Sequence, residues 1–361
     1  MIDPLSFLIL ILLSFGLSQI AFAHHFANRL FWMVVPGIYL LFVVHPLALL
    51  FALACFCAST ILFAIGRITH SAWLKSRLPY MILLLLFVPD ISLLIGNAPI
   101  LWLGSAFFII RQMMTTAQAI KSEASFDAFI PALLIATFFV AALPSGPVFH
   151  GLKMWREVQK NNPPNYAEGF YRLFEGFVYL FAIAGFLSMF VSRIDVVQAI
   201  NSAQGDTLVW ALNYILLKPL VGFGFLFATF YGYSRMAEGT ALLFGFEVPQ
   251  NFNKPHLARD LGDFWKRWHR SMAEFVMQYI YLPLLVTTSR TKLALISAFG
   301  FMGLWHNFSL SFLIWGVGHG LALSYALPWA KRVKVPPLTL RITSLAYVVF
   351  LSAIAHGVWT L

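Results

Sequence analysis

The chain has 361 residues, of which 60% are hydrophobic, 17% aromatic and only 11% charged, and its net charge is +10. Soluble globular proteins are about a quarter charged, and a chain this apolar has too few polar groups to cover a water-facing surface, which excludes a soluble fold. The basic excess does not point to nucleic acid, because residues such as Arg67, Lys75 and Arg77 sit in short connectors between apolar runs, where they suit anionic head groups and positive-inside sorting.

Apolar runs fall at about 5–23, 30–45, 47–65, 79–95, 98–112, 128–143, 170–191, 208–232, 293–308, 310–329 and 342–360. Each is near the length that crosses about 30 Å of hydrocarbon as a helix. They predict an all-α, polytopic transmembrane fold of about 11 spans, with internal Gly and Pro making some of them re-entrant or half-length. The first run follows Asp3 rather than a basic stretch and reads as a retained span, not a signal peptide. Cys55 and Cys57 lie two apart on one predicted helix and point to different faces, so they predict neither a disulfide nor a metal site.

Three connectors stand out. Residues 147–169 mix aromatics with Lys153, Arg156 and Lys160 before the Pro163-Pro164 pair, a composition for the membrane interface. Residues 193–207 read as a polar loop, and 247–292 carry far more charge than their surroundings. With no internal repeat or low-complexity tract, 1–361 reads as a single domain. An outside N-terminus places Arg29 and the 67–77 loop on the cytoplasmic side.

Residues 259–285 read as one amphipathic helix. Asp263, Lys266, Arg267 and Arg270 are spaced for pairing along one face, Asp260 and Asp263 favour the helix start, and Trp265, Trp268 and Phe275 form an aromatic side suited to the interface. Downstream, His306 follows Gly303-Leu304-Trp305, and His319 stands between Gly318 and Gly320, close to Trp315-Gly316. Ionisable side chains at membrane depth are expensive and mark function by default. Neutral histidine suits general-base work near neutral pH. No Ser-centred elbow, HExxH, Walker loop or Cys/His metal cluster occurs, so the chemistry in view is proton transfer by histidine.

From Tyr231 to Gly320 the chain resembles the membrane-bound O-acyltransferases, specifically the bacterial branch that acts in alginate O-acetylation and teichoic-acid D-alanylation. The ordered matches are Tyr233-Ser234 with Gly239, Gly245-Phe246, Pro249-Gln250-Asn251-Phe252, Asp263 through His269 to Ser271, Tyr279-Ile280-Tyr281-Leu282-Pro283, Gly303 to His306, and Trp315-Gly316 with His319-Gly320. Upstream, Ser145-Gly146-Pro147 resembles that branch's short Gly-Pro element. Two departures are visible. Asn307 stands where the family usually has Gly, and Arg235 where it usually has an acid.

The resemblance implies a ring of helices around a central tunnel, with the catalytic motifs in about 231–320. It implies transfer of an acyl group, acetyl or D-alanyl, from a cytoplasmic thioester to a hydroxyl of a cell-envelope polysaccharide, another polymer or an extracytoplasmic relay protein. The donor would be acyl-CoA or a phosphopantetheine carrier protein, with no tightly bound cofactor. An SGNH-type partner would work outside, and the location would be the bacterial inner membrane. The two family histidines fall on His306 and His269, 37 positions apart with a turn at 287–290 between their helices. His306 is then the expected general base, and His269 orients the donor, polarises the carbonyl or shares the proton. Asn307 is a candidate hydrogen-bond donor to the oxyanion, Tyr279, Trp305 and Trp315 line the tunnel, and His319 supports the site. Lys266, Arg267 and Arg270 meet either donor phosphates or lipid head groups. A secondary transporter is the alternative, together with a scaffold that only anchors partners.

Overall fold

A computed structural model describes residues 4–20, 26–44, 46–87, 105–160, 162–204, 208 and 212–355, and no strand occurs among them. The helices are α1 Pro4–Ile20, α2 Phe26–Val44, α3 Pro46–Ile68, α4 Ala72–Arg77, α5 Ser105–Lys121, α6 Phe126–Phe138, α7 Gly151–Gln159, α8 Tyr166–Val178, α9 Gly185–Gln204, α10 Lys218–Leu243, α11 Leu261–Trp265, α12 Arg270–Val276, α13 Leu282–Thr288, α14 Thr291–His306, α15 Leu310–Leu321, α16 Leu327–Arg332 and α17 Pro337–Ala355. A 3-10 stretch, such as Leu78–Phe87, or a π-helical turn, such as Met277–Tyr281, joins several of them.

Six stretches among the described residues are long and apolar enough to cross a membrane: Ala27–Val44, Pro46–Ile68, Tyr166–Ile194, Ile215–Leu243, Leu310–Arg332 and Pro337–Ala355. Leu5–Gln19 and Phe126–Phe138 are apolar but shorter. The chain is thus an all-α protein of membrane-spanning helices. The runs at 79–95 and 98–112 fall partly outside the described residues, so the expected count of eleven is not reproduced among the rest. The expected loop at 193–207 is helical up to Gln204, as the end of α9, and its remainder lies outside the described residues. Large apolar side chains on outward faces, such as Phe42, Ile61, Phe174 and Phe181, are exposed, as a hydrocarbon-facing surface requires.

The chain divides into two compact units, one of Met1–Phe177 with Gly232–Gln250 and one of Val178–Tyr231 with Asn251–Leu361. The first contains a polar core that its sequence did not single out. Arg111 of α5 is fully buried. Its Nε donates to the Ala136 carbonyl at 2.8 Å and its Nη1 to the Ala142 carbonyl at 3.0 Å. Its guanidinium lies 5.2 Å from the Phe149 ring centroid. It therefore ties α5, through neutral carbonyl acceptors, to α6 and to the turn before the Ser145-Gly146-Pro147 element, and packs on Phe149 just after it. Beside it, Ser59 donates to Gln112, which donates to Thr137. Replacing Arg111 by Ala leaves a cavity and strands these carbonyls. We expect a loss of about 3–5 kcal/mol, read as a lower thermal midpoint in detergent.

The family departure at Arg235 also resolves in this unit. Arg235 Nε donates to Glu175 at 2.6 Å and its Nη1 to Glu238 at 2.7 Å. Arg172 bonds the same Glu238 at 3.3 Å and Glu168 at 2.6 Å. Glu238 is only 3% exposed. Arg235 therefore serves as a cross-link between α8 and α10, stabilised by opposite charges in a partly dehydrated place where one partner alone would be costly.

Candidate active site

The second unit carries both motif histidines. The stretch 259–285 is not the continuous helix that its spacing predicts. Asp260 caps α11 by accepting from the Asp263 N–H at 2.8 Å, but α11 stops at Trp265. The break has a cause in the preceding segment. The Asn253 N–H donates to the Arg267 carbonyl at 2.9 Å, and the Arg270 N–H donates to the Asn251 carbonyl at 2.9 Å. A continuous helix would use both of those groups internally. The fully buried Asn251 also accepts from Ser271 Oγ at 2.5 Å. Held this way, His269 takes φ 45°, ψ 52°. A left-handed non-Gly residue is strained, and such strain gathers at functional sites.

The break turns the aromatic side inward. Trp265, Trp268 and Phe275 were expected at the interface, yet all three are buried. Trp268 stacks between Phe223 and Phe264, with centroids 5.3 and 5.5 Å away. The expected turn at 287–290 is present, with α13 ending at Thr288, Ser289 left-handed and α14 starting at Thr291. α14 and α15 then form a tight hairpin, capped at Ser309, whose hydroxyl accepts from the Phe312 N–H.

His269 is 3% exposed, with its ring edge-on to Phe230 at 4.6 Å. Trp305 stands between the two histidines, its ring 5.9 Å from His269 and 4.5 Å from His306. Burial first, and the nearby His306 second, push the His269 pKa well below the ordinary histidine value. His269 is therefore neutral at physiological pH and fit to accept or relay a proton. His306 ends α14 and lines a cavity of about 70 Å³ with Phe223, Phe230, Trp265, Phe312, Trp315 and Ser352 among its walls. An adjoining apolar cavity of about 240 Å³ shares Phe223, Phe264, Trp268 and Val348 with it.

The other sequence-predicted residues divide. Trp305 and Trp315 are buried against the histidines, and Trp315 meets the His306 ring edge-on at 5.4 Å. His319 is fully buried beside Trp265 and Trp315, at 4.9 and 5.0 Å. Tyr279 is half-buried and stacks on Phe275 at 5.5 Å, away from the cavity wall. Asn307 is exposed just past the end of α14 and is not part of the cavity wall. Lys266 and Arg270 are exposed, whereas Arg267 is engaged, donating from Nε to Asp263 at 3.0 Å and from Nη1 to the Asn253 carbonyl at 3.3 Å. Sequence reasoning missed Phe230, Trp265 and Ser352 as cavity residues. Trp265 lay inside a recognised motif, while Ser352 sits in the last apolar run with no local signal.

These environments give an acid sensitivity. The unfolded chain protonates His269 near pH 6.5, and the folded chain resists it. The unfolded state then binds more protons, so stability falls as pH drops through that range. Asp263 adds to this lower down. Burial alone would raise its pKa, but the Arg259 N–H and the Arg267 guanidinium hold it below the usual carboxylate range, so its contribution is lost only in stronger acid. Thermal midpoints should decline from pH 7 to pH 5. A midpoint that rises over this interval would contradict the assignment.

Residues 103–358 match the sequence model of the membrane-bound O-acyltransferase family. A probable alginate O-acetylase of Azotobacter vinelandii is 33% identical over 56% of this chain and 40% of its own length. A peptidoglycan O-acetyltransferase of Helicobacter pylori is 33% identical over 55% and 38%. A teichoic acid D-alanyltransferase of Bacillus subtilis is 25% identical over 62% and 59%. The matches thus cover 38–59% of the length of these relatives. The family match extends over every wall residue of the His306 cavity, and on these grounds the chain belongs to the membrane-bound O-acyltransferase family.

Proposed function

We propose that the protein is an O-acyltransferase of the bacterial inner membrane. It moves an acetyl or D-alanyl group from a cytoplasmic thioester to a hydroxyl of a cell-envelope polysaccharide, a polymer or an extracytoplasmic relay protein. The observation that carries this reading is the pair of histidines flanking Trp305, with His269 buried and His306 half-buried on the wall of an apolar cavity. The relatives supply the reaction class, because their names are O-acetylase, O-acetyltransferase and D-alanyltransferase.

In the proposed step, His306 takes the proton from the acceptor hydroxyl as its oxygen attacks the thioester carbonyl carbon. A tetrahedral oxyanion forms, the C–S bond breaks, and the thiolate leaves and recovers the proton from His306. His269, neutral and fixed by its backbone, orients the donor or shares that proton. The donor is acyl-CoA or a phosphopantetheine carrier protein, with Lys266 and Arg270 as the cations open to its phosphates or to lipid head groups. Arg267 is already committed to Asp263 and contributes mainly to the local fold. An SGNH-type protein outside is the proposed partner.

The test supplies purified protein in lipid with radiolabelled acetyl-CoA, or with a D-alanyl carrier thioester, and a hydroxyl-bearing envelope polymer. Base-labile label on the polymer is expected with one of the two donors. Absence of ester with both, in the presence of the partner, would overturn the proposal.

A further inference from the structure

The apolar cavity of about 240 Å³ beside the His306 cavity lies between α10 and α17. Leu220, Phe223 and Phe227 of α10 form one side, and Leu345 and Val349 of α17 the other. Its surface is almost wholly carbon. A dry cavity of about 150 Å³ is enough to bind benzene, so this one has room for a length of alkyl chain. It does not suit a pantetheine arm, whose two amides would be buried against such walls without partners.

Two features of the rim say what kind of chain fits. Leu220 is 59% exposed and belongs to the candidate span Ile215–Leu243, while α17 is itself a candidate span. The cavity therefore opens through a hydrocarbon-facing surface. The other exposed lining residue is polar, His256. Against it, the half-buried Arg341 donates from Nη2 to the His256 carbonyl at 3.1 Å, and no carboxylate among the described residues pairs with Arg341. Arg341 stands one helical turn before Leu345 and two before Val349, so cation and cavity share a face of α17. The guanidinium-bearing position is about 6 Å along the axis from the first wall residue. Anionic head, short glycerol and alkyl chain follow one another in that order in a phospholipid.

The charges around α17 indicate the leaflet. Lys331, Arg332 and Lys334 precede the helix. The 307–309 connector carries no charge and lies near the far end, where Ser311 Oγ donates to the Ala355 carbonyl at 3.4 Å. Positive-inside sorting puts the Arg341 end in the cytoplasmic leaflet, where anionic lipids gather.

We propose that this cavity seats one acyl chain of an anionic phospholipid from the cytoplasmic leaflet, with the lipid's phosphate on the Arg341 guanidinium. The chain packs behind Phe223, Phe264 and Trp268, rings that also wall the His306 cavity. The lipid thus supports that wall without entering the site. The proposal goes beyond the acyl-transfer reading and does not depend on it.

The test follows lipid binding to the delipidated full-length protein by native mass spectrometry. Dioleoylphosphatidylglycerol is the probe and dioleoylphosphatidylcholine the comparison. The wild-type protein is expected to hold one phosphatidylglycerol with a Kd about fivefold or more below that for phosphatidylcholine. Arg341→Gln is expected to bring the two lipids to equal affinity. Gly224→Leu and Val349→Phe narrow the cavity and are expected to weaken both lipids about tenfold or more, since each methylene left unburied costs about fourfold. Gly224 is part of the wall, and a Cβ there meets only Leu187, at 3.5 Å. The Leu variant therefore keeps the fold, and its thermal midpoint without lipid should match the wild-type value. Unchanged lipid binding in both cavity variants overturns the seat of the chain. A phosphatidylglycerol preference that survives Arg341→Gln overturns the phosphate contact. Competitive displacement of the lipid by octanoyl-CoA, with octanoyl transfer, assigns the cavity to the acyl donor and overturns the proposal.

Discussion

Replacing His306 by Ala is expected to lower acyl transfer by about 10²–10⁴-fold, the usual contribution of a positioned general base. The protein should still insert and fold. His306 is the last residue of α14, so truncating it removes no interior helical side chain. Its ring contacts include Trp305, Phe312 and Trp315, rings that also pack on other neighbours. The change should therefore appear in kcat, with little movement of the thermal midpoint. His306→Gln, which keeps a hydrogen-bonding group but cannot take up the proton, should be nearly as inactive. Recovery of activity in the Gln variant would assign His306 an orienting part and move the base to His269. Initial rates at saturating donor distinguish these outcomes.

The second large effect concerns the fold that presents His306. A Cβ added at Gly303 would stand 2.1 Å from the Phe312 carbonyl oxygen, and one at Gly316 would stand 2.2 Å from the Phe299 carbonyl oxygen. In each case the obstacle is the facing helix's backbone, which cannot rotate aside. The two glycines lie on opposite helices of the α14–α15 hairpin and let the backbones touch, as small residues do between helices in lipid. Gly303→Ala and Gly316→Ala should each destabilise by about 1–3 kcal/mol or more, and Val at either place should abolish folded protein. Gly300 is the internal control. Its added Cβ would lie 3.6 Å from Val317, an ordinary contact, and Ala there should be neutral or slightly stabilising because it favours the helix. Fluorescence-detected size exclusion across a temperature series would separate the three. Equal tolerance of Ala at 300, 303 and 316 would refute the close hairpin.

The sequence disclosed the membrane class and the identity of the two histidines, because composition and short motifs are local properties. It did not disclose the conformation that makes His269 usable. Residues 259–285 have the charge spacing of a helix, and the break at 266–269 is imposed by Asn251 and Asn253, backbone partners that lie well upstream in the chain. The same break explains why Trp265 and Trp268, aromatic enough for an interface, are buried instead. Arg111 escaped notice because a lone Arg in an apolar run resembles a run's edge until α6 and the loop after it supply carbonyls to it. Ser352 reaches the cavity from α17 through tertiary packing alone. The number of spans is not legible from run length, which does not register the 3-10 and π-helical turns that divide the apolar chain.

The relation between transfer and transport is tested most directly in sealed proteoliposomes of one orientation. Labelled acyl thioester is supplied on the face matching the cytoplasm, and a hydroxyl acceptor, with its extracytoplasmic partner, is present only on the other. The account predicts base-labile ester on the acceptor with wild-type protein and only background ester with His306→Ala. Label crossing as intact thioester at equal rates in both proteins, with no ester formed, would contradict it.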